Sequence, residues 1–147
     1  MKKTIVLGSD HGGFVYKKAL IDHLEKQGYA TIDVGTHSEV SCNYPDYAHQ
    51  AAIKVANQEA DFGVVICNTG IGVSIVANKV KSIRCAVGYD DEVVRLTRQH
   101  NDANMLAFGA HFMSLGDIIR RIDIFLNTPF EGGRHQVRVD LIKHYEQ

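Results

Sequence analysis

The hydrophobic positions of this chain follow two rhythms that alternate from end to end. Short apolar, β-rich runs predict strands at Thr4–Leu7, Ala30–Val34, Gly63–Ile66, Cys85–Val87 and Met105–Phe108. Between them, apolar residues recur three or four positions apart. Val15, Ala19, Leu20 and Leu24 predict a helix over Phe14–Gln27 that stops at Gly28. Further helices are predicted over Tyr47–Asn57, Ile71–Val80, Asp90–Arg98 and Leu115–Leu126, the last with Leu115, Ile118, Ile119 and Ile122 on one face. Gly132 and Gly133 break the chain before a closing helix that carries Val137, Leu141 and Tyr145 at i, i+4 and i+8. Gly35–Asn43 is polar and reads as a loop.

Alternation of this kind predicts an α/β fold, a parallel sheet with helices on both faces. The third strand is apolar without a polar alternate, as expected where both sheet faces are covered. In such sheets ligands bind beyond the carboxyl ends of the strands. One rim should therefore gather Gly8 to His11, Gly35-Thr36, Cys67 to Gly70, Gly88 to Asp90 and Gly109 to His111.

Composition narrows the function classes. The 147 residues are read as a single domain spanning 1–147. A net charge of -1 gives no electrostatic case for a nucleic acid or an anionic membrane as partner. No apolar run reaches the roughly 20 residues that cross a bilayer, and "MKKTIVLGSD" reads as a first strand rather than a leader, so a cytoplasmic location is expected. Cys42, Cys67 and Cys85 are odd in number and form no CxxC pair, which argues for free thiols and against zinc.

The stretch "VVICNTGIGVSI" ends a strand on a thiol and turns through two glycines into a helix. Three readings compete for Cys67: a buried small residue, part of a phosphate-cradling loop, or a thiolate favoured by nearby amides and a helix start. "TGIG", Thr69 to Gly72, offers unpaired amides to a phosphate or an oxyanion, but it is neither GxGxxG nor a Lys-Ser/Thr phosphate loop. Asp10 either caps the next helix or, with His11, touches a ligand. "RQHNDANML" holds His100, Asn101, Asp102 and Asn104 between a helix and a strand, and His100 is a candidate proton carrier. Arg134 and Arg138 lie one turn apart at a helix start, where cations oppose the dipole, so the pair points to an anion.

Taken together, "GSDHGG", "DVGT", "YPDYA", "CNTGIGVSI", "ANKV", "RQHNDANML" and "EGGRHQVR" resemble the type B ribose-5-phosphate isomerase family, related to galactose-6-phosphate isomerase subunits, from about Ile5 to Glu146. The resemblance implies a Rossmann-like three-layer α/β/α sandwich with a five-stranded parallel sheet. It implies a homodimer, in some members a dimer of dimers, with each site shared between copies and the C-terminal helix contributing to the dimer and the phosphate site. It also implies aldose–ketose isomerisation of a small-molecule sugar phosphate without a metal or organic cofactor. By the family pattern Cys67 is the general base, His100 aids ring opening, and Thr69 assists the proton shuffle. The backbone of Asn68, Thr69, Gly70, Ile71 and Gly72 holds the enediolate. Asp10, His11, Tyr44 and Asn101 contact the sugar or phosphate, and Arg134 and Arg138 the phosphate.

That assignment agrees with the chemistry of moving a carbonyl between adjacent carbons, which needs one base and donors for a developing oxyanion. Some members place a glutamate at the position of Val73, so Cys67 is the only base candidate on this turn. Two departures bear on the substrate: Asn68 stands where the family reads CGTG or GGSG, and His111 stands where an arginine helps bind phosphate. Ribose 5-phosphate is the expected sugar; the alternatives are a tetrose, allose or galactose phosphate. Other classes are a non-catalytic sugar-phosphate-binding subunit and a flavodoxin-like nucleotide binder that would use an acid such as Asp33.

Overall fold

The computed structural model of the chain describes residues 2–146. Five strands form where the short apolar runs predict them: β1 (Thr4–Ser9), β2 (Ala30–Asp33), β3 (Phe62–Cys67), β4 (Cys85–Val87) and β5 (Met105–Gly109). All pair in parallel, in the order β2-β1-β3-β5-β4. The chain leaves β1 to one side for β2 and crosses to the other for β3. The crevice between the carboxyl ends of β1 and β3 is thus the topological switch point at which such sheets bind ligands.

The helices are α1 (Phe14–Lys26), α2 (Tyr44–Ala56), α3 (Ile71–Ala77), α4 (Asp91–Gln99), α5 (Leu115–Leu126) and α6 (Arg134–His144), with a 3-10 turn at His11–Gly13 before α1. Side chains of alternate strand residues feed two cores. On one face Ile5, Leu7, Val64, Ile66, Leu106 and Phe108 meet Leu20 and Leu24 of α1, Val94 of α4, and Ile118, Ile122 and Phe125 of α5. On the other, Val6, Val65, Met105 and Ala107 meet Ala48, Ala51, Ala52 and Val55 of α2 and Val73 and Ala77 of α3. The sheet is covered on both sides, as the α/β/α sandwich requires. No helix among the described residues is long and apolar enough to cross a membrane.

Three elements differ from the sequence expectation, each through a particular contact. Helix α2 starts at Tyr44 rather than Tyr47, with Pro45 in its first turn, where the missing N–H is no loss. Helix α3 ends at Ala77 rather than Val80 because Asn78 turns away to grip β4. Its amide nitrogen donates to the Cys85 carbonyl at 2.9 Å, and its oxygen accepts the Cys85 N–H at 2.8 Å. In α6 the stripe of Val137 and Leu141 faces outward, 61% and 54% exposed, and Tyr145 caps the helix from outside it. His135 and Val139 are the residues that α6 buries.

The ends of β3 and β5 approach closely, with Cys67 opposite Gly109. A Cβ on Gly109 would collide with the Thr69 main chain, and one on Gly70 would lie 2.8 Å from the Phe108 carbonyl carbon. Gly70 also has φ of 83°, which only glycine adopts without strain. We predict that Gly109→Ala lowers stability by about 1–3 kcal/mol, since backbone rather than a flexible side chain is in the way. Gly116→Ala is the control: nothing stands within 4 Å of its Cβ position in α5, and it should raise stability by up to about 1 kcal/mol. Urea midpoints of the two variants check both signs.

Candidate active site at the carboxyl edge of the sheet

Cys67 is the last residue of β3, and its side chain is buried on the α2/α3 face. The turn that follows folds back on it. The Gly70 N–H, aimed inward by the left-handed turn, donates to Cys67 Sγ at 3.2 Å. The Thr69 hydroxyl oxygen accepts the Ile71 N–H at 3.2 Å. The amides of Asn68, Thr69 and Gly72 have no acceptor among the described residues. A thiol and a row of unclaimed donors thus share one turn. Asn68 and Thr69 are exposed.

The rest of the predicted rim assembles around this turn. Asp10 is tied to β3 by its N–H, which donates to the Ile66 carbonyl at 3.2 Å. Its Oδ1 accepts the amides of Gly12 and Gly13 at 2.9 and 3.2 Å. The capping role is therefore filled by one oxygen, and no partner for Oδ2 is found among the described residues. His11 Nδ1 accepts the Cys42 N–H at 3.2 Å, which places the ring proton on Nε2. The Tyr44 ring lies where a side chain on Gly72 would stand, so it covers the start of α3. His111 donates its backbone N–H to the Asn68 carbonyl at 3.1 Å. The two positions at which the chain departs from the type B pattern are therefore neighbours.

The remaining predicted residues lie elsewhere. His100 caps α4 and Asn101 follows it, ahead of β5, so both belong to the amino edge of the sheet. The five residues of β5 run from one edge to the other, four steps of ~3.3 Å or about 13 Å. Asn101 is held there through its carbonyl, which accepts Arg84 Nε at 3.0 Å. Arg134 and Arg138 open α6 beside them: the Glu131 N–H, just before that helix, donates to the Gln99 carbonyl at 3.1 Å. Both arginines are exposed, and neither has a salt-bridge partner among the described residues. The predicted residues therefore fall in two clusters at opposite ends of the sheet. Cys67, Thr69, Asp10, His11, Tyr44 and His111 form one; His100, Asn101, Arg134 and Arg138 form the other.

Sequence reasoning missed three participants. Cys42 supplies the amide that orients His11. His135 is buried against the His100 ring, and Glu131 stands beside both. His100, Glu131 and His135 bring possible metal-ligand atoms within 4.8 Å of one another. Their imidazoles are stacked face to face, however, at 4.2 Å and 11°, so their nitrogen lone pairs run side by side instead of converging on one ion. Among the other thiols, burial pushes Cys85 up to about 12, so this partly buried residue packed against the second core stays a neutral thiol. Asp33, the acid a nucleotide binder would use on a ribose, is engaged by the buried Lys17 at 2.5 Å.

Against this geometry the comparisons are specific. The family model described as Ribose/Galactose Isomerase matches residues 5–142, and the chain belongs to that family. It is an isomerase. It is 45% identical to ribose-5-phosphate isomerase B of Escherichia coli (strain K12), over 99% of this chain and 97% of that one. The structure of Clostridium thermocellum ribose-5-phosphate isomerase B superposes with a TM-score of 0.95 at 45% identity, covering 96% of this chain and 95% of that one. Ribose-5-phosphate isomerase B from Mycoplasma genitalium, with bound ribulose 5-phosphate, gives a TM-score of 0.92 at 39% identity, covering 97% and 95%.

The His135 imidazole has a pKa below its ordinary 6.5, held down first by burial and then by His100 and Arg134, with Glu131 opposing. The unfolded chain therefore takes up this proton more readily than the folded one. Stability from His135 is present above 6.5 and is lost as the pH falls through that value. We predict that the melting temperature drops between about pH 7.5 and pH 5.5, and that His135→Phe, which cannot titrate, drops less over the same interval.

Proposed function

We propose that this isomerase interconverts ribose 5-phosphate and ribulose 5-phosphate in the cytoplasm, as a homodimer whose sites each draw on both copies. The observation that carries this reading is the Cys67 turn: a sulfur that accepts the Gly70 amide at 3.2 Å, beside unclaimed amides, at the switch point of the sheet.

In this reading His100 of a second copy opens the furanose. The C1 hydroxyl gives up a proton, the bond from C1 to the ring oxygen breaks, and the ring oxygen takes a proton. The Cys67 thiolate then removes the proton on C2 of the aldehyde. Charge moves to oxygen, giving an enediolate that the amides of residues 68–72 stabilise; losing one such donor costs roughly 10²–10³ in rate. The same sulfur returns the proton to C1, and Thr69 passes a proton between the oxygens. Every step is redox-neutral overall, so no cofactor is called for. Asp10, His11 and Tyr44 hold the sugar, while Arg134 and Arg138 of the second copy hold the phosphate away from the reacting carbons. His111 supplies a further donor to the substrate.

The shared site has its own support. The half-sites lie too far apart in one chain to meet at a five-carbon sugar, and α6 leaves Val137, Leu141, Ile142 and Tyr145 exposed beside the second half. A two-fold dimer brings both halves together twice. A second reading concerns the sugar alone: the Asn68–His111 pair supports a tetrose, allose or galactose phosphate as substrate. A panel of four- to six-carbon sugar phosphates decides between them by kcat/KM.

Cys67→Ala should lower kcat by at least ~10³, while a substrate-like phosphate still binds. Arg138→Ala should mainly raise KM. Mixing Cys67→Ala with His100→Ala and allowing subunits to exchange should restore about one quarter of wild-type activity, because each mixed dimer contains one intact site. No restoration on mixing, with exchange verified, would mean that each site belongs to one chain.

A further inference from the structure

The second half-site contains a group to which the mechanism above gives no task. His135 is 8% exposed, the one buried imidazole among the described residues. Its ring lies flat against that of His100, with centroids 4.2 Å apart and planes 11° from parallel. The Glu131 carboxylate lies along the edge of the stack, 3.9 Å from His100 Nε2 and 4.0 Å from His135 Nε2. The backbone holds the three together. The Glu131 N–H donates to the Gln99 carbonyl at 3.1 Å, next to His100, and the His135 N–H donates to the Gly132 carbonyl at 3.0 Å.

We propose that His135, with Glu131 beside it, is a positioning residue that fixes the ring plane of His100 for opening and closing the sugar ring. This rests on the role given to His100 above. His100 needs such support. It stands at the carboxyl end of α4, its side chain is 38% exposed, and no side-chain hydrogen bond among the described residues orients it. A ring at a helix end samples several rotamers. A buried flat surface against one face removes most of them and leaves the opposite face and one edge for the substrate. Proton transfer demands that alignment, because a small misplacement of a catalytic group costs up to ~10²-fold in rate.

The chemistry of the surroundings explains why an imidazole can serve as this wall. The charged and titratable groups facing His135 are His100 from α4, Glu131 from the preceding loop, and Arg134 and Arg138 from its own helix. Two stacked imidazolium rings would repel. Burial first, and then His100 and the two arginines of its own helix, hold the His135 imidazole below its ordinary range, so it serves as a neutral wall. The anionic edge at Glu131 faces both rings without separating them.

The test separates ring opening from proton transfer at carbon. Deuterium exchange into C1 of ribulose 5-phosphate in D₂O needs Cys67 and its amides but no ring closure, because this ketose is open-chain. Net conversion of ribose 5-phosphate needs both. For His135→Ala we expect kcat of net conversion to fall about 10- to 100-fold with KM little changed, while ketose exchange stays within about threefold of wild type. His135→Phe restores a flat neutral ring and should recover most of the loss. Parallel loss of exchange and conversion in His135→Ala would mean a merely structural role and overturn the proposal. So would unchanged conversion, or a His135→Phe variant no better than alanine. Cys67→Ala run alongside must lose exchange; if it does not, the functional reading itself fails, and that outcome is distinct from failure of the His135 proposal.

Discussion

The site depends on how closely the carboxyl ends of β3 and β5 approach. Cys67 lies opposite Gly109, and the turn from Asn68 to Gly70 packs directly on the Phe108–Gly109 backbone. That contact leaves no room for a Cβ and forces Gly70 into its left-handed conformation. The conformation in turn aims an N–H at the Cys67 sulfur, and the amides of Asn68, Thr69 and Gly72 have no acceptor among the described residues. Strand packing, backbone geometry and the donors available for an oxyanion are thus one arrangement. In the proposed reaction the same arrangement puts the base and the charge-stabilising donors on the same two carbons.

The second constraint is the direction of the chain. Residues that follow strands collect at one edge, and residues that precede them collect at the other. His100, Asn101, Arg134 and Arg138 fall at the far edge because they precede β5 or pack against what precedes it. No local rearrangement of one chain brings them to Cys67. Under the proposed function this makes assembly part of catalysis: the monomer holds two incomplete sites, and the outward apolar stripe of α6 lies beside one of them. Activity and stability would then both depend on protomer concentration.

Much of this was legible in the sequence. Two hydrophobic rhythms located all five strands and six helices, and the rule that ligands bind at strand ends drew Asp10, His11, Cys67 and His111 to one rim. What was not legible depends on contacts remote along the chain. Helix α3 stops short because Asn78 bonds to Cys85, and no local signal announces that. The stripe in α6 has the spacing of a core-facing helix, and only the fold reveals that it faces outward. Cys42 offered no reason to be noticed, because what ties it to His11 is chiefly its backbone N–H, with the thiol at 3.9 Å from the same ring nitrogen. His135 was hidden between two arginines that already accounted for an anion site. Its stacking on His100 joins residues 35 positions apart. The family resemblance supplied roles for His100 and Arg134 that spacing alone left open, and the match over residues 5–142 bears out that kinship.

The most direct test of the central claim is a crystal structure of the Cys67→Ala variant with ribulose 5-phosphate bound. The account predicts C1 and C2 of the sugar facing residue 67 and the ketose oxygens about 3 Å from amides of residues 68–72, with the phosphate on Arg134 and Arg138 of a second copy. A sugar whose C1–C2 edge points away from that turn, or whose phosphate is held by arginines of the chain that supplies residue 67, would contradict it.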